Sequence, residues 1–451
     1  MGNCYLVIKR LIFHLIFITM KRLFFTGIAI SLFGIVAAAQ HKADTQIDSL
    51  QNSHRITFIG DGATPHQDSV RVLLDRFYFD QFRHLQDPRA PYFMFMSKDS
   101  KFAMGIGGVV RMRGWYDWNG VIPYNGFIPQ AISVPRNDIA RRKISTTPAG
   151  TALYFRVIGN NHRLGDYQLY IETNFDGYNQ VGMKLKKAYA TVNDWTIGYA
   201  NSTFGDPAAF PMLIDAQGPQ AEVQTTAVLL RWMHSFNKNW TIAASVETPQ
   251  SQVDYNNVTT SKVDDWAPNV AAFGQFGWGK NQHIRVSGIM RVLPYHNMIN
   301  GSNEREFGWG VQLSSIFRPS NSLTIYATGN IGRGYGSLTG DLIMDKYDLL
   351  NNPNTPGDMY APESFAWYGA IQYHFLPNLY STATFGQERL LPKHQVSGNT
   401  YKYGLYSALN IFWDITPRFE VAAEVNFGKR ANFDGQSNWA RRACLMAQFS
   451  F

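Results

Sequence analysis

From about Phe102 to the C-terminus, apolar and polar positions alternate with a period of two. In Phe419–Phe427 one face carries Phe419, Val421, Ala423, Val425 and Phe427, and the other Glu420, Ala422, Glu424 and Asn426. Trp240–Glu247 sets Trp240, Ile242, Ala244 and Val246 against Thr241, Ser245 and Glu247. Ile284–Val292 sets Val286, Met290 and Val292 against Arg285, Ser287 and Arg291. A strand turns successive side chains to opposite faces, so this pattern predicts strands with one apolar and one polar face. Repeated over ~10-residue stretches, it is the signature of strands that cross a membrane as a closed barrel.

The connections alternate too. Short polar turns fall at 159–165, 193–194, 237–239, 279–282, 319–322, 377–378 and 416–418. Between them lie longer stretches at 117–135, 202–221, 249–268, 294–305, 334–364, 390–399 and 431–438. Tight turns at one end and long loops at the other are the asymmetry of bacterial outer-membrane barrels. The runs between connections number about sixteen, a size that leaves an aqueous lumen. The fold expected is therefore all-β: a transmembrane antiparallel barrel over 99–451, with a short helical segment before it.

Aromatic residues, with two leucines among them, follow both kinds of connection. Trp195, Trp240, Leu323, Leu379 and Phe419 come straight after short turns. Trp309, Trp367, Tyr401 and Trp439 begin strands after long ones. Two girdles result, one at each membrane interface. The last strand ends Leu445, Ala447, Phe449 and Phe451 on one face, and its aromatic final residue resembles the signal read by the barrel-assembly machinery.

The first hundred residues differ. Lys21 and Arg22 precede the apolar run Leu23–Val36, and Ala37-Ala38-Ala39 follows, which is the layout of a secretory signal peptide over 1–39. Such a signal would begin at Met20, so 1–19 read as a misassigned upstream extension rather than a tandem anchor. Residues 40–98 form an N-terminal periplasmic segment. Val70, Leu73, Leu74, Phe77 and Leu85 share a face at helical spacing, which predicts one amphipathic helix over Asp68–Leu85. After Gln40 no stretch approaches the ~18 apolar residues of a membrane helix.

Composition supports this reading. Charged residues are 16% of the chain, against roughly 25% in soluble domains, while aromatics reach 14%. Removing the signal lowers the formal net charge from +8 to +4, and no Lys/Arg-rich run points to nucleic acid. Cys4 leaves with the signal, so Cys444 remains alone, without a disulfide partner and without a cysteine metal site. There is no His-Glu-x-x-His and no Gly-x-Ser-x-Gly, no catalytic residue is assigned, and no cofactor is implied.

Candidate chemistry lies with charges whose strand phase turns them into the lumen. The basic set is Arg111, Arg113, Arg156, Lys187, Arg231, Arg285 and Arg291. The acidic set is Glu172, Asp176, Glu247, Glu420 and Glu424. Arginines in an aqueous pore attract anions, and facing carboxylates create a transverse field; ion pairing that merely fills the wall is the alternative for each. The third outer loop is unusual. Phe204, Asp206, Pro207, Phe210, Asp215, Gly218 and Pro219 mix stiffness with apolarity, as a loop folded inward to narrow the pore would. The same residues would also suit packing on a neighbouring subunit.

Ser202-Thr203-Phe204-x-Asp206-Pro207 followed by Gly218-Pro219 resembles the hallmark of the DcaP-like trimeric porins. Gly165-Asp166-Tyr167, Glu172-x-Asn174-Phe175 and Lys186-x-Ala188-Tyr189 stand in matching order upstream. The resemblance covers roughly 98–230, and the rest of the barrel only in architecture. It implies a sixteen-stranded homotrimer with an inward-folded third loop that passes small anionic, often dicarboxylate, solutes. Asn174 stands where that pattern has an acidic residue. The competing readings are an outer-membrane adhesion or ligand-binding barrel acting through loops such as 334–364, and an outer-membrane lipase. A TonB-dependent transporter would need ~22 strands and a plug.

Overall fold

The structure is a computed structural model that describes residues 55–61, 93–99, 101–163, 165–176, 181–279 and 282–451. The signal peptide and the helix expected over Asp68–Leu85 lie outside them. Within Ile56–Phe451, one compact unit, sixteen strands follow in chain order. They are β1 (Phe102–Trp118), β2 (Arg142–Thr147 continued by Ala152–Asn161), β3 (Gly165–Phe175), β4 (Met183–Val192) and β5 (Trp195–Asn201). Next come β6 (Thr226–Ser235), β7 (Trp240–Glu247), β8 (Asn269–Trp278), β9 (Gln282–Asn297), β10 (Ser302–Phe317) and β11 (Leu323–Arg333). The last five are β12 (Glu363–Leu376), β13 (Leu379–Leu391), β14 (Tyr401–Asp414), β15 (Phe419–Asn432) and β16 (Ser437–Ser450).

Each strand pairs antiparallel with the next, and β16 pairs with β1 from Arg441↔Trp118 to Ser450↔Val109. The sheet is closed, as the alternating pattern predicts. At the seam the Arg442 Nε donates to Asp117 Oδ1 at 2.7 Å, with both side chains buried. Below it, Phe451 exchanges backbone hydrogen bonds with Gly108. A Cβ on Gly108 would stand 2.7 Å from the Phe451 ring and 2.8 Å from the carbonyl of Ala152, so only glycine admits the terminal aromatic there. A short strand outside the barrel count, Phe93–Ser97, pairs with the start of β1 beneath the end of β16.

Period-two alternation places Ile284, Val286 and Met290 outside, and His283, Arg285, Ser287 and Arg291 inside. The same split holds in β16, where Trp439, Leu445 and Phe449 face out and Arg442, Cys444 and Met446 face in. An apolar outside on a closed sheet satisfies every ladder bond internally, which is what a bilayer demands. Trp195 and Trp240 at one end and Trp309, Trp367 and Trp439 at the other are exposed outward, as the two girdles require. Tyr401 departs from them. It is fully buried and its hydroxyl donates to Asp341 Oδ2, because its partner loop folds inside rather than outside.

Two stretches read as long loops are not. Residues 294–305 are the tip of the β9–β10 hairpin, paired from Asn297↔Ser302 downward, and 431–438 is the tight tip between β15 and β16. Pro294 ends neither strand, since the ladder continues through Pro294↔Arg305. The walls therefore differ in height: β5 has 7 residues and β9 has 16, roughly 24 Å against 54 Å at ~3.4 Å per residue.

Candidate functional site: a charged cavity inside the barrel

The third outer loop, 202–225, lies inside the barrel along much of its length. Its entry is fixed by Glu247, whose carboxylate accepts from Ser202 Oγ and the Thr203 amide, both at 2.7 Å. Phe204 is fully buried against Tyr335, and its carbonyl accepts from Ser287 Oγ at 2.6 Å. Asp206 accepts from His283 Nε2 at 2.7 Å and from Ser314 Oγ, and lies 3.3 Å from the Arg285 guanidinium. Burial alone would raise this carboxyl, but Arg285 and His283 outweigh it and hold it below the ordinary range.

Farther along, Glu424 accepts from the amides of Ile214 and Asp215 at 2.8 and 3.0 Å. Arg113 donates to the Ile214 carbonyl at 3.1 Å. Asp215 accepts from the Phe127 amide at 2.6 Å, the Gly218 amide at 3.0 Å and the Tyr406 hydroxyl at 3.0 Å. Burial pushes the Asp215 carboxyl up. Gly218 has φ +75°, and a Cβ there would strike the ring of Phe210, so glycine makes this turn and buried Pro219 follows it. The loop is thus tied to β7, β9, β10, β15 and the first outer loop by named contacts. Its larger apolar residues Phe204, Phe210, Leu213 and Ile214 are buried within this chain.

A second loop enters from the other side. In 334–362, Tyr335, Leu338, Asp341 and Leu342 are buried. Arg291 binds Asp348 at 3.2 Å and the Gly334 carbonyl at 2.8 Å. The Gly340 amide donates to the Glu222 carbonyl at 3.2 Å, and Gln220 Nε2 to Asp341 Oδ2 at 3.2 Å. The half of this loop nearest β11 thus folds onto the third loop instead of reaching outward.

Beside these loops runs a cavity of about 1060 Å³. It extends from the short turns near Arg318 and Asn321 to the ends of β3 and β4. Arg111, Arg113 and three lysines of β4 stand on its wall; Asp215 and Glu222 stand on the loop side. Glu172 lies among the lysines, with Lys186 Nζ at 2.8 Å and Lys187 Nζ at 3.9 Å. Two cations around one carboxylate leave the group positive. Asp176, exposed at the end of β3, and Glu420 also line the cavity, as do Pro207 and Phe210.

Lys184 and Lys186 are the residues that alternation missed. The β3–β4 register slips between Glu172 and Thr173, so that Glu172 pairs with Lys187 and Thr173 with Leu185. Lys186 is the extra residue of this bulge. A strict period would turn Lys186 and Lys187 to opposite faces; the bulge lets both reach Glu172. Three lysines within four positions, Lys184, Lys186 and Lys187 around Leu185, were the only sequence sign of it.

The other inward charges serve different partners. Arg156 Nη2 donates to Gln168 Oε1 at 3.0 Å, Arg231 Nη1 to the Asn201 carbonyl at 3.2 Å, and Arg285 to Gln275 as well as Gly205. Arg156, Arg231, Arg285, Arg291, Glu247 and Glu424 are buried and do not line the cavity. They hold loops and wall together. Among the described residues no cluster of metal-binding side chains occurs.

No family profile matches the chain, and neither does any curated protein. Solved structures do. The outer membrane channel DcaP of Acinetobacter baumannii superposes with a TM-score of 0.68 at 19% identity, covering 79% of this chain and 99% of that one. The chain has the fold of that channel. An anion-selective porin from Comamonas acidovorans follows at TM-score 0.53 and 8% identity, covering 78% of this chain and 100% of its own. A loop-deletion form of OmpT from Vibrio cholerae gives 0.50 at 10% identity, with 78% and 100% covered. The porin architecture anticipated from alternation and loop asymmetry is thus shared with channel proteins.

Proposed function

We propose that this protein is an outer-membrane porin through which small polar solutes, anions above all, diffuse past an inward-folded third loop. The observation that carries this is the cavity wall: Arg111, Arg113, Lys184, Lys186 and Lys187 face a loop bearing Asp215 and Glu222 inside a closed barrel. Fixed cations on one side of an aqueous passage, opposite loop carboxyls that burial pushes up toward the neutral form, enrich anions along the basic wall. The third loop is the constriction, held by Asp206, Glu247 and Glu424. An apolar exterior with aromatic girdles fits insertion in the bacterial outer membrane, after export by the 1–39 signal and assembly through the strand ending at Phe451. Residues 40–98 remain on the periplasmic side.

Three copies assemble in this reading through the low wall around β3 to β5. There β5, with 7 residues, is the shortest strand of the barrel, and Leu169, Ile171 and Ile197 are exposed on the outside.

Mature protein reconstituted in a planar bilayer under a salt gradient tests the proposal. Steady conductance in groups of three, with a reversal potential on the anion side that shrinks in Arg111→Ala or Arg113→Ala, is expected. A folded barrel that passes no current sinks the open-pore reading.

A further inference from the structure

The seam between the last and first strands carries a second set of cations, and these face outward. Four residues on adjacent strands stand directly across from one another: Phe427 of β15, Arg441 of β16, Trp118 of β1 and Arg142 of β2. One step toward the long-loop end, Lys429 pairs with Trp439, and its ammonium lies 5.8 Å from the indole ring. One step the other way, Tyr116 pairs with Ile144, and both are exposed. The alternate positions Trp115, Asp117, Ala440 and Arg442 are buried, so this row belongs to the outer surface.

Arg142 and Arg441 are exposed, and among the described residues neither has an ion-pair partner. Tyr116 and Trp118 stack with ring centroids 6.2 Å apart, filling the space beneath them. Such cations are costly at the edge of a hydrocarbon layer unless an anion meets them there. Trp118 and Arg142 flank the first outer loop, and Lys429 and Arg441 lie below the tight β15–β16 tip at the same end of the barrel, at the level of exposed Trp439, where a girdle meets headgroups. Arg441 and Arg142 are two strand spacings apart, roughly 10 Å.

We propose that this stripe is a docking site for a phosphorylated glycolipid of the outer leaflet, its phosphates held by Arg142, Arg441 and Lys429 and its sugar faces and acyl chains resting on Trp118, Trp439 and Ile144. Guanidinium groups bind phosphate through paired N–H donors, and the flanking aromatic rings are amphipathic enough to sit at the same depth. The proposal rests on the outer-membrane placement given above and not on conduction.

Detergent-solubilised protein is titrated with bis-phosphorylated lipid A, and with the same lipid stripped of phosphate, and bound lipid is counted by native mass spectrometry. The wild type is expected to prefer the phosphorylated form at least fivefold. Arg142→Gln with Arg441→Gln, and separately Lys429→Gln, should lose that preference while keeping heat-modifiable migration and channel conductance. Equal binding of both lipids by the wild type overturns the proposal without recourse to any variant. Loss of oligomers in the double variant also overturns it, and assigns the stripe to a second copy of the chain. Lipid binding by a barrel that carries no current would sink the porin reading and leave this one standing.

Discussion

Asp206 of the third loop and Arg285 of β9 meet at 3.3 Å with both side chains buried, and His283 closes on the same carboxylate at 2.7 Å. A loop residue and a wall strand are locked by charge in a place water does not reach. Breaking one side of such a pair leaves the other charge uncompensated, which costs about 3–5 kcal/mol.

Asp206→Ala should therefore free the start of the third loop. Single-channel traces are expected to become noisier and the unfolding temperature to fall. Because Asp206 is held below its ordinary value of 3.8, its contribution is present above that value and is lost only as pH falls through the lower, folded-state value. Wild-type traces at pH 4.5 should match those at pH 5.5; a jump in noise at the lower pH would contradict the anchor.

Asp341 behaves in the opposite sense. Burial pushes its carboxyl up from 3.8 to about 7, so the packing of its loop is favoured at low pH and weakens as pH rises through about 7. Trypsin cleavage near exposed Lys346, divided by the rate on an unstructured reporter peptide at the same pH, should be slow at pH 5 and faster at pH 8. In Asp341→Asn the dependence should vanish; a dependence unchanged in that variant would place the titration elsewhere.

Lys186→Gln tests the bulge as a source of pore charge. A unit charge about 4 Å from a passing ion in a water-like dielectric is worth about 1 kcal/mol, about a fivefold change in local ion concentration. The reversal potential under a salt gradient should move toward cations. Leu185→Gln, whose parent side chain sits beside it in the same strand, should leave the sign of selectivity in place.

Gly108→Val should obstruct closure, since even a Cβ there approaches the Phe451 ring to 2.7 Å. Overpacking of this kind costs about 1–3 kcal/mol. The expected result is slower conversion to the heat-modifiable folded form on refolding into lipid, with little change in selectivity. Unaltered kinetics would mean the terminal aromatic is dispensable for closure.

Much of the barrel was legible because its two faces meet different media. Val286 and Met290 outside and Arg285 and Arg291 inside follow from one rule applied residue by residue. The cavity was harder to read, for two reasons. Inward orientation does not separate a charge that meets solvent, such as Arg111, from one that meets a loop carbonyl, such as Arg231 or Arg291, because loop placement is not periodic. And where β4 carries an extra residue at Lys186, the rule itself lapses. The inward turn of 334–362 left no periodic trace; its buried Asp341 and Tyr335 look in sequence like ordinary loop residues.

The Arg442–Asp117 contact joins residues 325 positions apart in the chain. Fifteen strands can pair hairpin by hairpin as they emerge, each with its predecessor. The final pairing, Ser437–Ser450 on β1, is the most distant in sequence and joins the last barrel strand to the first. Until it forms, the growing sheet has two open edges, and open edges invite pairing with strangers. The buried arginine on the last strand and the aspartate on the first are each an unpaired charge until the two strands meet. Joining them rewards the one register that also seats Phe451 on Gly108, so the sequence discriminates against a misregistered cylinder at the moment of closure.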